Sequence, residues 1–291
     1  MQQHYLAFMK KWLLGLLFGV VHSAGYGQLY ESTVLNGEYG FGIGAAHYFG
    51  DLNTSASLRR PKMAASILFR KQFGPYAAVR LQGTYARLGY SDRYSKNEVE
   101  KLRNLSFNSN VFELGLMGDF NFFRFIPGQR EFNFTPYVTM GIGFFTYDPF
   151  AFLNDEKYFL RPLGTEGQGS SLYPDRKPYS TMAICLPIGA GIKYNLSPGA
   201  NLFFELTHRF TNTDYLDDVS TTYAGADAFP PLPDGTPSEA FLLQDRSYEL
   251  TATPIGIGNR QRGNSKQKDH YITATIGITF NLTSYRCPTS N

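Results

Sequence analysis

Tyr271-Ile272-Thr273-Ala274-Thr275-Ile276-Gly277-Ile278-Thr279-Phe280-Asn281-Leu282 decides how this chain folds. Ile272, Ala274, Ile276, Ile278, Phe280 and Leu282 share one parity. Tyr271, Thr273, Thr275, Gly277, Thr279 and Asn281 share the other. Alternation with period two marks a β-strand with one apolar and one polar face. Here the apolar face suits lipid and the polar face suits a lumen.

The same pattern recurs upstream. Clear strands are expected at 111–122, 136–147, 181–195 and 202–211, and fainter ones at 38–48, 63–73 and 76–90. With 271–282 they make eight, an even number. Their connections alternate in length. Three are short and carry turn residues: Phe73-Gly74-Pro75, Ile126-Pro127-Gly128-Gln129 and Leu196-Ser197-Pro198-Gly199. Four are long, at about 50–62, 91–110, 148–179 and 212–269. Short turns on one side and long loops on the other are the habit of outer-membrane barrels. The expected fold is therefore all-β, a transmembrane antiparallel β-barrel. A soluble lipocalin-like barrel would point the apolar faces inward and leave the charges of the other parity outside.

The N-terminus reads as an export signal. Lys10 and Lys11 precede an apolar run from Trp12 to Val21, followed by Ser23, Ala24, Gly25 and Gly27. That run is too short for a membrane helix. Cleavage is expected after Ala24 or Gly27, so residues 1–27 are set aside as a signal peptide and 28–291 as one barrel domain. The expected destination is the bacterial outer membrane, in contact with its lipid and lipopolysaccharide. The remaining chain has no apolar stretch able to cross a bilayer as a helix, which leaves a soluble protein or a barrel. Aromatics reach 16%, with 25 Phe and 20 Tyr against one Trp, and lean towards the barrel. A formal net charge of +3 gives no case for nucleic acid. The two cysteines, Cys185 and Cys287, are too few for a disulfide framework. On this topology Cys185 lies about ten residues from the short-turn end of its strand, at ~3.3 Å each, out of disulfide reach of Cys287.

The inward parities carry both signs of charge: Glu38, Arg70, Arg80, Glu113, Asp119, Lys193, Glu205 and Arg209. An eight-stranded barrel is just wide enough for side chains to fill. These residues are expected to pair across a packed lumen, leaving no open pore. Pro187 removes a ladder hydrogen bond and is expected to mark a bulge. Gly40-Phe41-Gly42-Ile43-Gly44 resembles a phosphate loop, but no helix follows to supply free N–H groups. Similar Gly-x-Gly units at 141–143, 189–191 and 256–258 are expected to make room for large neighbours across the lumen.

The remaining motifs carry weaker signals. His47, His208 and His270 lack metal-ligand spacing. A barrel lipase would set a Ser/His pair on the exterior, and His208, on the lipid-facing parity, has no evident partner. Asp214-Tyr215-Leu216-Asp217-Asp218 offers oxygen ligands for Ca²⁺, but a solvated loop start is the preferred reading. Thr165-Glu166-Gly167-Gln168-Gly169 permits a sharp turn. Within the longest loop, Phe229 to Pro237 is Pro-rich and expected to lack regular structure. Residues 241–258 alternate weakly, suggesting extra strands or an external hairpin. Arg260, Arg262, Lys266 and Lys268 form a basic run that faces either lipopolysaccharide or plain solvent. No catalytic residue, metal or cofactor is expected.

Several short motifs, taken in order, give the chain a family likeness. They are Tyr48-Phe49-Gly50-Asp51-Leu52, Arg103-Asn104-Leu105-Ser106-Phe107, Thr135-Pro136-Tyr137 and Leu163-Gly164-Thr165-Glu166-Gly167-Gln168-Gly169. Further on come Pro187 to Tyr194, Thr213-Asp214-Tyr215-Leu216-Asp217-Asp218-Val219-Ser220, and Cys287-Pro288. In these the chain resembles the PorG-like outer-membrane barrels of the type IX secretion system. The resemblance implies a non-enzymatic component of that machinery, associated with a periplasmic ring built from a lipoprotein and its partner. It singles out Asp51, Arg103, Asn104, Thr165, Glu166, Gly167, Asp214, Tyr215, Asp217, Asp218 and Cys287. Residues 221–262 stand out as a long insertion.

Overall fold

The structure is a computed structural model that describes residues 33–285. Residues 1–27, expected to be a signal peptide, and Cys287 lie outside the described residues. The barrel and its loops are contained in Leu35–Thr283. Ten strands are described: β1 (Thr33–Phe49), β2 (Lys62–Gln72), β3 (Ala77–Ser91), β4 (Ser106–Asn121), β5 (Phe134–Thr146), β6 (Pro149–Leu153), β7 (Glu156–Phe159), β8 (Met182–Ser197), β9 (Ala200–Thr211) and β10 (His270–Tyr285). Eight of them form a sheet in the order β3-β2-β1-β10-β9-β8-β5-β4, and pairing of β3 with β4 closes it. The strands pair antiparallel around the ring, and its closure leaves the barrel no free edge.

The two faces of the wall are sorted as the alternation requires. Phe41, Ile67, Leu81, Leu116, Ile142, Leu186, Leu206 and Ile276 all stand exposed on the outside. In water so large an apolar surface would drive association; in a bilayer it is solvated by acyl chains. Near the short-turn end an exposed ring of Tyr39, Phe73, Tyr76, Phe122, Phe134 and Tyr194 supplies the aromatic girdle of such barrels.

The lumen is filled from every strand of the ring. Arg70 Nη1 lies 2.9 Å from Glu38 Oε2, and its Nε 2.6 Å from Asp119 Oδ2. Arg80 reaches Asp119 at 3.4 Å and Glu205 at 2.7 Å. Glu38, Arg70, Asp119, Arg80 and Glu205 thus form one unbroken chain of opposite charges. Its last link joins β3 to β9, which stand opposite each other in the ring. Nearer the long-loop end Arg209 Nε meets Glu113 Oε2 at 2.5 Å, and Tyr271 donates to the same carboxylate at 2.6 Å. Lys193 Nζ donates to Asn121 at 3.2 Å and sits 4.6 Å from the Tyr137 ring centroid. All eight expected lumen charges are buried, four acidic and four basic.

Glycine makes the space. A Cβ on Gly191 would lie 2.6 Å from the Tyr137 ring, and one on Gly277 would lie 2.6 Å from Phe203. Gly256 and Gly258 do not share this role, because they lie in the longest loop. Pro187 also departs from expectation. It pairs in register with Arg209, and on its other side the β5 ladder lapses between Met140–Ile188 and Gly143–Cys185 without losing register. The missing N–H therefore costs a rung and adds no residue. The shift in this hairpin lies at Asn195–Ser197.

Loops differ most from the sequence reading. The second short connection spans 122–133 and carries a 3₁₀ turn at Arg130–Phe132. Strand β4 begins at Ser106 rather than 111, and its extension pairs with β6 through Asn108–Phe150 and Ser109–Pro149. Strands β6 and β7 form a hairpin whose two central residues, Asn154 and Asp155, take positive φ, as a type I′ turn demands. Residues 241–258 add no strand. They hold part of α3 (Glu239–Gln244) and a 3₁₀ turn at Ser247–Glu249.

Candidate functional site in the loop cap

The four long loops fold together over one end of the barrel, and their contacts bring the family-motif residues together. A buried loop cannot satisfy its own backbone, so buried polar side chains must do so. Glu166 shows this best. Its Oε1 accepts from the Ser220 and Thr221 N–H groups at 2.9 and 3.1 Å, and from Arg262 Nη1 at 3.2 Å. Its Oε2 accepts from the Thr221 hydroxyl at 2.6 Å. The short helix α2 (Leu160–Leu163) delivers it: Gly164 ends that helix at φ +60, turning Thr165 and Glu166 inward.

Arg103 is placed by the short helix α1 (Glu98–Arg103). The Asn97 side chain caps the N-terminus and left-handed Asn104 the C-terminus. Arg103 then grips both oxygens of Asp92 at 2.7 Å and donates to the carbonyls of Arg262 and Asp51 at 2.6 and 2.8 Å. Asn104 ties the same helix end to Glu249 at 2.8 Å. Gly167, at φ +82, turns where a side chain would strike Tyr173 and Ala224.

Asp214, Asp217 and Asp218 are buried, which corrects the expectation of a solvated loop start. Asp218 accepts from Thr165 and, at 2.6 Å, from Tyr179. Tyr215 stacks on Tyr179 at 4.4 Å. Asp214 accepts from the Ser220 hydroxyl at 2.6 Å. Asp51 accepts from the Asn264 N–H at 2.8 Å. Tyr48 OH lies 2.5 Å from Asp217 and 3.0 Å from Asp269. A phenol has one hydrogen, so one of these two carboxyl groups must carry the proton of the second bond.

The electrostatics agree with that count. Burial pushes Asp217 and Asp269 well above the usual carboxylate range, and each is raised further by an acidic neighbour, Asp51 and Asp217 respectively. Burial carries Asp214 up to about 7 and Asp51 to about 6, with Glu166 adding to both. Asp218 is also raised by burial to about 6, against the pull of Arg262. Among the described residues no group of three or more His, Cys, Asp or Glu is arranged to hold a metal ion. Protonation and hydrogen bonds relieve the acidic excess that Arg262 leaves in this cluster.

Ten of the eleven family-motif residues therefore meet in the cap; Cys287 lies outside the described residues. Sequence reasoning missed Asp92, Tyr179 and Asp269 as members, and held Tyr48 within a motif without singling it out. It also put Arg262 in a surface run, whereas that side chain is buried against Glu166 and Asp218. On the outer wall, His208 and His270 stack at 4.9 Å beside Phe49 and Phe210. Among the described residues neither imidazole is hydrogen-bonded to a hydroxyl.

A closed eight-stranded antiparallel ring with an apolar exterior and a charged, filled interior defines an outer-membrane-type β-barrel. Solved structures with this fold include Neisserial surface protein A, at 10% identity over 87% of this chain and 100% of that one, with a TM-score of 0.42. The Ail protein of Yersinia pestis is similar at 11% identity over 85% and 100%, with a TM-score of 0.36. The N-terminal barrel domain of Pseudomonas aeruginosa OprF is similar at 11% over 85% and 98%, TM-score 0.36. No curated protein matches the chain. Residues 28–228 match DUF6089, described as a domain of unknown function, and the chain belongs to that family.

Proposed function

We propose that this barrel is a non-enzymatic structural component of the type IX protein secretion machinery in the outer membrane, anchoring or positioning a periplasmic ring. The observation that supports this best is the ion-pair chain from Glu38 to Glu205, which spans the lumen from wall to wall. A barrel filled this way passes no cargo through itself, so its use lies in its surfaces. The short-turn end offers the contact surface: Gly74, the 122–133 connection with exposed Arg130 and Glu131, and Gly199. The resemblance in the Asp51, Arg103, Glu166 and Asp214–Asp218 motifs supplies the secretion context.

The test is a mild-detergent pull-down of the tagged full chain from isolated outer membranes, read by mass spectrometry. Recovery of a lipoprotein ring, lost when Arg130 and Glu131 are replaced together, is the expected result. A barrel recovered alone in several detergents overturns the reading. It would favour a general surface barrel, for which the folding of 212–269 into an ordered cap is the supporting observation.

A further inference from the structure

Beside the acidic cluster, and sharing Asp51 with it, the cap holds a cleft of about 430 Å³ between the first, second and fourth long loops. A short ladder makes part of its lining. Thr222 bridges Gln261, and the Tyr223 N–H donates to the Arg260 carbonyl at 2.9 Å. Tyr223 is 1% exposed, yet its hydroxyl has no hydrogen-bond partner. Buried tyrosine hydroxyls normally find one, because leaving the group unpaired costs stability. Folding alone does not account for this hydroxyl.

The rest of the lining indicates what would use it. Arg262 and Arg103, both engaged with protein groups, stand near the Tyr223 hydroxyl together with Asp245 and Asp92, and burial raises that phenol to about 12, so it keeps its proton and can donate to an acceptor. Arg260 is exposed and makes one weak bond, to the Ile255 carbonyl at 3.3 Å, leaving most of its donors open. Glu100 is an acceptor already oriented by the Thr54 and Ser95 hydroxyls at 2.9 and 2.6 Å. Val99 and Ile255 add apolar surface. A bare anion would be repelled by Glu100 and Asp51, and an apolar ligand would leave the arginine unmet. A sugar with a carboxylate satisfies all of them: carboxylate to Arg260 and Tyr223, hydroxyls to Glu100, and a C–H face to Val99 and Ile255.

We propose that this cleft binds an acidic saccharide unit at the cell surface. The inference does not rest on a role in secretion. The test is calorimetric titration of the full chain in detergent micelles with trigalacturonate, with neutral maltotriose, and with deacylated core oligosaccharide from the producing cell's own lipopolysaccharide. Binding of trigalacturonate or the core oligosaccharide, with maltotriose weaker than either, is expected. The tighter of the two acidic probes assigns the source, an external polysaccharide or the cell's own surface. Tyr223→Phe removes only the unpartnered hydroxyl. It is expected to weaken acidic-sugar binding about tenfold while leaving thermal unfolding unchanged or raised. Arg260→Gln, at an exposed site, is expected to erase the preference for the acidic sugar. No binding of either acidic probe, equal binding of maltotriose, or wild-type affinity in both variants overturns the proposal.

Discussion

The lumen and the cap are both buried and both charged, but they are neutralised in different ways. In the lumen four carboxylates face four cations, and neighbours alternate in sign. In the cap Asp51, Glu166, Asp214, Asp217, Asp218 and Asp269 face chiefly Arg262, while Arg103 is occupied by Asp92. Paired opposite charges compensate one another within the wall. An acidic excess is relieved by protons and by backbone N–H groups. The barrel is thus built to be permanent and the cap to be conditional.

The largest expected effect comes from breaking the lumen chain. Arg80→Ala leaves Asp119 and Glu205 buried and short of a partner, and removing one member of such a pair costs about 3–5 kcal/mol. Urea unfolding in lipid vesicles, followed by the heat-dependent gel shift of barrels, reads it. A variant as stable as the parent would mean that water, not protein, carries the lumen charges. Arg80→Met with Glu205→Gln, which removes the opposing pair together, should recover part of the loss.

A somewhat smaller loss is expected on the outside of the same wall. Leu116 faces lipid on β4 and pairs with Ile142 on β5, near the middle of the span. Leu116→Arg should cost about 2–4 kcal/mol, as charges at the bilayer midplane do in such barrels. A matching substitution at Leu102, an exposed residue of α1, should cost little by the same assay. Equal losses at the two sites would remove the distinction between a lipid-facing wall and a water-facing cap.

How far each region was legible follows from the same contrast. The wall repeats every two residues, so parity alone put Arg70, Arg80 and Glu205 in the lumen before any partner was known. Register across the ring then paired them. The cap has no period. Tyr48 and Asp217 are 169 residues apart, and Glu113 and Tyr271 158. The second contact was accessible because both residues lie on strands; the first was not. Family likeness marked Asp51, Glu166 and Asp218 without saying that they meet. Arg262 escapes a sequence reading because a polar stretch with Arg260, Lys266 and Lys268 close by looks solvated, and only the fold shows that this one turns inward. The 106–110 extension of β4 was hidden by Asn108 and Asn110, polar residues whose backbone is claimed by β3 and, in part, by β6.

Cutting the cap's own pair should leave the barrel standing. Arg262→Ala removes the cation shared by Glu166 and Asp218 and the donor to the Gln244 and Asp218 carbonyls. Loops open at lower free energy than the strand ladders they connect. Limited proteolysis should therefore cut the variant within 212–269, while the urea midpoint of the barrel stays close to the parent's. Global unfolding at lower urea would show instead that cap and barrel form one cooperative unit.

The smallest expected effect is the one that distinguishes the two kinds of neutralisation, and its sign is fixed by the direction of the shifts. Asp51, Asp214 and Asp218 bind protons more tightly in the folded cap than in the unfolded chain. Between the ordinary carboxylate value near 4 and their raised values of about 6 to 7 the native state therefore holds more protons, and stability falls as pH rises. The stabilisation is complete below that window and is lost as pH passes through the raised values. Hydrogen exchange at the Leu216, Val219, Ser220 and Thr221 amides, all of which donate to cap carboxylates, reads it locally. After correction for intrinsic rates, protection should be greater at pH 5 than at pH 8. Strand amides in the barrel wall should show no such trend. Asp214→Asn takes away one of these raised carboxyl groups and should weaken the dependence, since an amide still accepts from the Ser220 hydroxyl but has no titrating proton. Protection that rises with pH in the cap would reverse the assignment and make its carboxylates ionised partners of the arginines, as they are in the lumen.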